Sequence, residues 1–352
     1  MAFVGLGGAG QRHARVLRVA LGSEARWLAV QRRGTTPVLD AAMRPQAASL
    51  ADAYHLEVLG DLRAALERRP DLVVVATPTA LHRDPAMAAI AAGCAVLVEK
   101  PLAASLGDAR DLARAAARQS TPVAVGFQRR HHPAWIETSA LVGADGLGRL
   151  VAAELWAGSD VSSWHPYEPV GELYAVRRAL GGGVLATECH ELDGVVGLWG
   201  VPQAVRCHDR TRTHLGDVEL AVDLRLRFGE LAPEVVLRLS LEATAPSRGW
   251  RLEGTGGSLA WDEGRATLTV STGAGTSTRR LGGFDNETLV GVQDRALVAG
   301  VGSGEGWGDL ERAVGVSAVI DAAVRSLATG GWEGVDPLPV DPLPGGPLPG
   351  GP

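Results

Sequence analysis

The chain has a single lysine. Of its 34 basic residues, 33 are arginine, and the exception is Lys100. A guanidinium can replace an ammonium wherever only positive charge is needed, but it cannot give up a proton near neutral pH. Lys100 is therefore a candidate for proton chemistry, although an arginine-rich composition that left one lysine by chance accounts for the same count. Cysteine is scarce too. Cys94, Cys189 and Cys207 lie far apart with no paired spacing. That excludes a disulfide framework and a thiolate zinc site, and it fits a reducing cytoplasm. Long uncharged apolar runs are missing, and the first residues lack the charged and apolar regions of a signal peptide. Positive charge is not in excess: the formal net charge is -6, which gives no reason to expect nucleic acid as a partner. The expectation is a cytoplasmic protein that binds neither membrane nor nucleic acid.

What is present points to two cores. A length of 352 residues with 46% hydrophobic content makes two domains the natural division. Up to residue 126, short apolar runs alternate with Ala/Leu/Arg helical patterns. Strands are expected at Ala2–Val4, Trp27–Gln31, Leu72–Ala76, Ala95–Val98 and Val123–Gly126, with helices near Gln11–Leu21, Leu62–Arg69, Asp84–Ala92 and Leu106–Gln119. Continuous apolar strands separated by helices predict a parallel sheet covered on both faces. Only Met1 precedes the first strand, so that strand is expected to be short or the true start to lie upstream.

The pattern changes after residue 126. A helix near Pro133–Val142 is followed mostly by strands, among them Arg149–Trp156, Ala204–Thr211, Glu219–Phe228, Glu234–Leu241 and Trp250–Glu253. Partial alternation along Leu220–Phe228 predicts an antiparallel α+β domain whose sheet has one wet face. A late helix is expected from Asp309, as N-cap, to Leu327. The segment 331–352 is rich in Pro and Gly and is expected to be a disordered or extended tail.

Gly5-Leu6-Gly7-Gly8-Ala9-Gly10 follows the first strand and opens a helix at Gln11. With 46 glycines in 352 residues, G-x-G-x-x-G arises by chance about once in such a chain, so its context decides. Strand, turn and helix in that order let backbone approach a pyrophosphate at a helix N-terminus. Residues 1–126 are therefore read as a dinucleotide-binding Rossmann domain, with Gly5, Gly7, Ala9, Gly10 and Gln11 at the cofactor. The second strand ends in Gln31-Arg32-Arg33, where a carboxylate on the ribose hydroxyls would favour NAD. Arg32 and Arg33 suit a ribose 2′-phosphate instead, which favours NADP(H) and leaves NAD(H) open.

Thr77-Pro78 with His82, and Glu99-Lys100-Pro101, follow two later strands at the ends where ligands bind in open parallel sheets. A second cluster runs from Gly181 through Thr187, Glu188, Cys189, His190 and Glu191 to Asp193. His190 and a carboxylate can exchange protons near pH 7, or His190 can be a structural residue at a helix start. The run Cys189-His190-Glu191 has no second pair at metal spacing, so no metal is expected. Trp164-His165-Pro166-Tyr167 and Arg129-Arg130-His131-His132 supply the rings and donors that a sugar pocket uses, or pack as loops.

In order, the chain carries a glycine turn followed by Gln11-Arg12-His13, then Thr-Pro-x-x-x-His, Glu-Lys-Pro, Gly-Phe-Gln-x-Arg-x-His-Pro, and Gly-Gly-Gly before His-Glu-Leu-Asp. Over roughly residues 2 to 330 this order resembles the glucose–fructose oxidoreductase, inositol dehydrogenase and MocA family. The resemblance implies a Rossmann domain, a C-terminal α+β domain (127–330) with a large, mostly antiparallel open-faced sheet, and an active site between them. It implies hydride transfer between a nicotinamide cofactor and a hydroxyl or carbonyl carbon of a sugar, ketosugar, nucleotide-linked sugar or cyclitol. Lys100 and His190 match the family's catalytic positions. His13, Thr77, Pro78, His82, Glu99, Lys100 and Gln128 fall at the cofactor, and Arg130, Trp164, Tyr167, Thr187 and Asp193 at the substrate. A homodimer or homotetramer formed through the C-terminal sheet is expected. Many members carry an aspartate three or four residues before the histidine; here those positions are Thr187 and Ala186. The same motifs also leave open a glycosidase of the same family using held NAD without net redox, and a non-catalytic dinucleotide sensor or partner protein.

Overall fold

The structure is a computed structural model that describes residues 1–22, 25–30, 36–229, 233–301, 303, 307 and 310–336. Arg32, Arg33, Asp309 and residues 337–352 lie outside the described residues, and with them the 2′-phosphate reading, the N-cap reading and most of the tail reading.

Six parallel strands form the first sheet: β1 (Ala2–Val4), β2 (Leu28–Val30), β3 (Glu57–Leu59), β4 (Leu72–Val75), β5 (Ala95–Val98) and β6 (Val123–Val125). Their spatial order is β3-β2-β1-β4-β5-β6, all parallel, which is the doubly wound order with its switch point between β1 and β4. Side chains alternate between two cores. Phe3, Val74 and Leu97 pack with Leu17 on one face, while Val73, Val75, Val96 and Val98 pack with Ile90 and Leu112 on the other. Because both faces are covered, these strands read as unbroken apolar runs. Helices α1 (Gly8–Leu21), α2 (Leu62–Glu67), α3 (Arg83–Ala91) and α4 (Leu106–Gln119) make the crossovers. The side chains of Asp61 and Ser105 cap α2 and α4. Helix α1 begins three residues before the sequence expectation, because the last glycines of the turn are already helical.

After α5 (Pro133–Gly143) the second sheet is built from β7 (Leu150–Asp160), β8 (Ala204–Asp209), β9 (Ala221–Arg227), β10 (Glu234–Ser240), β11 (Glu242–Gly254), β12 (Gly257–Asp262), β13 (Thr267–Thr272), β14 (Gly275–Arg280) and β15 (Glu333–Gly334). The order is β14-β13-β12-β11-β7-β10-β9-β8-β15, and only β7 and β10 run parallel. Along β9, Val222, Leu224 and Leu226 are buried while Arg225 and Arg227 face out, as the alternation predicted. Helices α6 (His190–Trp199) and α8 (Leu310–Thr329) bring Leu192, Val195, Val316 and Val319 into the core shared with this sheet. Helix α7 (Asn286–Ala299) packs on α1 and so ties the far end of the chain to the glycine turn.

Several elements depart from the sequence reading. β11 is 13 residues long, not four, because Ala243–Arg248 carry no apolar alternation yet lie along β7 through a register shift. Helix α7 and strand β14 were not anticipated. The beginning of the presumed tail is ordered: Glu333 and Gly334 pair with β8, Val335 is buried, and the Arg227 guanidinium sits 3.7 Å from the Trp332 ring centroid.

Candidate active site

The glycine turn leaves space where a dinucleotide needs it. Gly5 has φ +93°, and a Cβ there would lie 2.6 Å from the Ala76 carbonyl oxygen. At Gly10 a Cβ would collide with the Gly5 carbonyl, whereas at Gly7 it would meet nothing within 4 Å. Gly7 is the N-cap of α1, makes no side-chain cap, and the first turn holds no acidic residue. The helix therefore presents its free N–H groups and positive dipole end to an open face. At the end of β4 the Thr77 hydroxyl is buried with no partner. An open turn, free donors and an orphaned hydroxyl fit a dinucleotide phosphate. Gln11 is spent on structure: its amide donates to Leu6 O (3.0 Å) and Pro37 O (2.8 Å) and its oxygen accepts from Leu39 N (2.7 Å). His82 is also fixed, with Nε2 2.9 Å from Thr77 O and Nδ1 3.0 Å from Pro101 O, so it staples two strand-end loops together.

Lys100 follows β5 at its carboxyl end. Its Nζ donates to the backbone carbonyl of Thr187, and its own N–H donates to Glu99 Oε2 at 3.0 Å. Burial works to lower the Lys100 pKa, but Tyr174, Cys189, Glu188 and Glu99 outweigh it and hold the ammonium above its ordinary value. Glu99 is itself fixed by His13, whose Nε2 lies 3.1 Å from Glu99 Oε1. The other imidazole nitrogen of His13 lies 2.7 Å from Asp294 Oδ2 on α7. Burial opposes charge on His13, yet these two carboxylates raise it to about 10, while burial of Glu99 is overcome mainly by His13 and its pKa falls to about 2.

His190 opens α6 with its ring edge-on to Phe127 (centroids 5.9 Å apart) and its Nδ1 buried without a partner. Burial, then the positive charges of Lys100, Arg129, Arg248 and Arg130, push its pKa well below the ordinary value, so it is neutral at pH 7. Behind it lies a small cavity lined by His190, Glu191, Arg129, Arg248, Trp250 and Trp261. Arg248 bridges Glu188 (2.5 Å) and Glu191 (2.6 Å), and Arg129 pairs with Glu263 at 2.9 Å. Burial, aided by the Glu188 charge, raises Glu191 to about 7 against the pull of Arg248 and Arg129.

The residues expected at the substrate divide into groups. Thr187 uses its hydroxyl on the Gly183 carbonyl and offers its own carbonyl to Lys100, so it meets the lysine through backbone. Asp193 is 3% exposed and takes both Arg130 (2.9 and 2.6 Å) and Arg312 (3.0 Å). It therefore anchors α6 and does not reach the His190 Nδ1. Trp164 and Tyr167 are half-buried, and Tyr167 stacks on His165 at 5.3 Å. The His165 Nε2 would be 3.7 Å from a Cβ on Gly8, which sets this segment beside the glycine turn. Gln128 is buried in the 3-10 turn after β6. The sequence reading missed Tyr174, Arg248 and Asp294. Each lies in a stretch with no motif of its own, and only long-range packing brings it to the site.

A doubly wound sheet with an open glycine turn, and an ammonium and an imidazole brought together at its crevice, defines an NAD(P)-dependent oxidoreductase. Comparison with known proteins agrees. Residues 1–127 match an oxidoreductase family with an NAD-binding Rossmann fold. The chain is 28% identical over 294 residues to dTDP-3,4-didehydro-2,6-dideoxy-alpha-D-glucose 3-reductase of Streptomyces violaceoruber, covering 78% of this chain and 80% of that one. It is 33% identical over 150 residues to inositol 2-dehydrogenase 2 of Saccharopolyspora erythraea, 42% of each chain. Among solved structures, GenD2 from gentamicin A biosynthesis in complex with NAD superposes with a TM-score of 0.79 at 26% identity over 96% of both chains. Levoglucosan dehydrogenase with NADH and L-sorbose gives 0.80 over 95% of this chain and 98% of that one; at 20% identity it speaks to the fold alone. Residues 1–127 match the model of the glucose–fructose oxidoreductase, inositol dehydrogenase and MocA family, and the relatives named here are a sugar reductase and an inositol dehydrogenase.

Proposed function

We propose that the protein interconverts a hydroxyl and a carbonyl on a sugar, ketosugar or cyclitol, with nucleotide-linked ketosugars inside that class, and that Lys100 is the proton donor in reduction. The observation that carries this reading is the position of the only lysine of the chain. It stands at the carboxyl end of β5, tethered to Thr187 O beside His190, at the crevice where ligands of doubly wound sheets bind. The substrate class rests on the names of the relatives, one of which is a sugar reductase spanning most of the chain.

The dinucleotide would be held by the N-terminus of α1, the Gly5–Gly10 turn and Thr77, and when bound it supplies or accepts the hydride. Lys100 stabilises the oxygen on which negative charge develops and gives it a proton. His190, neutral at pH 7, orients the same oxygen by a hydrogen bond. Trp164, Tyr167 and Thr187 bound the space for the substrate. The preference for NADP(H) over NAD(H) rests on Arg32 and Arg33 and on no carboxylate at the end of the second strand.

The test is direct. Reduced-nicotinamide absorbance is followed with NADH and with NADPH against ketosugars, and in reverse with inositols, levoglucosan and aldoses. Turnover of at least one polyhydroxylated compound, abolished in Lys100→Met, supports the reading. Turnover that persists in Lys100→Met removes the lysine from the chemistry.

A further inference from the structure

The Asp294–His13–Glu99 chain is more than a local ion pair. Asp294 comes from α7, 281 residues beyond His13, and its carboxylate lies 2.7 Å from the imidazole. Asp294 and His13 are each 1% exposed at the side chain, and Glu99 is 15% exposed. The second carboxylate oxygen of Asp294 accepts from the Gln293 amide at 3.1 Å, so its orientation is fixed. A fully enclosed imidazole between two carboxylates offers an N–H to each only as imidazolium. Glu99 lies against Gly126, where a Cβ would come within 3.1 Å of Oε2, so it cannot withdraw that way freely. One oxygen of Glu99 takes His13 and the other takes the Lys100 N–H. Among the described residues, Glu99 is the link of this network that contacts Lys100, through the lysine's backbone N–H, and it is held at its other oxygen by His13.

We propose that Asp294 is a positioning residue for Lys100: by fixing His13 as a charged clamp it holds the Glu99 carboxylate against the lysine, and so couples the seating of α7 on α1 to the state of the reactive ammonium. This rests on Lys100 being the reactive group in the proposed reaction. The coupling has a direction. Glu99 is one of four groups that raise the Lys100 pKa, with Tyr174, Cys189 and Glu188. Around Asp294 the titratable neighbours are His13 and His131, which both feel its charge. Losing Asp294 lets His13 become neutral, so the charge-assisted hydrogen bond that holds Glu99 weakens and its carboxylate is freer to shift relative to Lys100. The Lys100 titration midpoint then falls.

The chain offers a clean probe, since lysine labelled with carbon-13 at the ε position gives a single resonance from Lys100. Its shift is followed against pH in the full-length protein, in Asp294→Asn and in Glu99→Gln. In Asp294→Asn the midpoint is expected to fall by about half a unit or more, on the scale of a displaced neighbouring charge. Glu99→Gln should produce at least as large a fall, and the double variant no more than Glu99→Gln alone. Thermal melting and NADH titration establish that each variant folds and binds; if Asp294→Asn fails to fold, Asp294→Glu, which keeps the charge, should fold and keep the wild-type midpoint. An unchanged midpoint in folded Asp294→Asn, with a fall in Glu99→Gln, overturns the proposal. So does an additive double variant, or a lowered midpoint in Asp294→Glu equal to that of a destabilised fold. The readout needs no turnover. The acid role of Lys100 therefore stands or falls separately, by the activity of Lys100→Met.

Discussion

Replacing Lys100 with arginine tests the chemistry while keeping the charge. In the structure the Lys100 Nζ is tethered to the Thr187 carbonyl and is surrounded by groups that favour its protonated form. A guanidinium there still attracts a developing alkoxide, but it releases no proton. The loss is therefore the general-acid part of the rate, about a hundredfold or more in turnover. A hundredfold loss corresponds to about 2.7 kcal/mol of barrier. Cofactor affinity should be nearly intact, because the glycine turn and the start of α1 are untouched. The raised pKa also fixes the sign of the pH profiles. With its midpoint held above the ordinary lysine value, Lys100 is almost entirely protonated at pH 7. Reduction, which needs the ammonium, should be flat across neutral pH. Oxidation, which needs the free amine, should climb about tenfold per pH unit through pH 7 to 9. Steady-state kinetics in both directions read both effects. Arg-variant turnover within a few-fold of wild type refutes the acid role, and an oxidative plateau near pH 7 refutes the charge environment assigned to Lys100.

Three other outcomes are expected. Arg32→Asp should shift preference toward NAD(H), by tenfold or so in the ratio of dissociation constants; tighter NADH than NADPH binding in the wild type would show that the arginine pair holds no 2′-phosphate. Truncation after Asp336 should leave the melting temperature unchanged, whereas truncation after Gly331 removes the Trp332 ring under Arg227, the β15 pairing and buried Val335, and should lower melting by roughly 5 °C. Equal melting of the two truncations by calorimetry would mean that this segment adds nothing. His190→Asn should cost roughly tenfold in turnover, less than Lys100→Arg, because a neutral imidazole contributes orientation but not acidity at pH 7. A larger loss than that of Lys100→Arg would make His190 the principal acid.

The first sheet was legible because its physics is local. Strands buried on both faces must be apolar throughout, and the turn after β1 must be glycine where φ is positive and where backbones touch. Five of its six strands match the expectation to within one residue at either end. β3 was missed because Glu57–Leu59 is half exposed at the sheet edge. α7 was missed because the side that packs on α1 includes Gly291, Gln293 and Asp294, which dilute the apolar stripe. Lys100 was legible by rarity. Its surroundings were not: Asp294 reaches His13 across 281 positions and Arg248 reaches Glu191 across 57. No periodicity or motif encodes pairs that only the folded chain brings together. Arg130 and Asp193 show the same limit, since no motif in the sequence signals that they pair with each other or that Asp193 also takes Arg312.

The missing aspartate before His190 has a consequence that extends to the division of labour at the site. A carboxylate at residue 186 or 187 would sit beside the imidazole, raise its pKa and fix its tautomer. Instead the Thr187 hydroxyl turns back to Gly183 and the carbonyl of that residue receives Lys100. The nearby acids Glu188 and Glu191 are turned toward Arg248, away from His190. His190 is left among four positive groups and stays neutral, while Lys100 keeps Glu99 and Glu188 as counter-charges and stays protonated. Two groups of opposite protonation state thus flank one crevice. Under the proposed reaction this arrangement favours carbonyl reduction at neutral pH: the acid is already loaded, and no imidazolium competes for the developing alkoxide. Restoring a carboxylate by Thr187→Asp should raise the His190 midpoint toward its ordinary value and narrow the gap between the His190→Asn and Lys100→Arg losses. If the gap stays as wide, the order of the two residues is set by distance to the reacting oxygen rather than by charge.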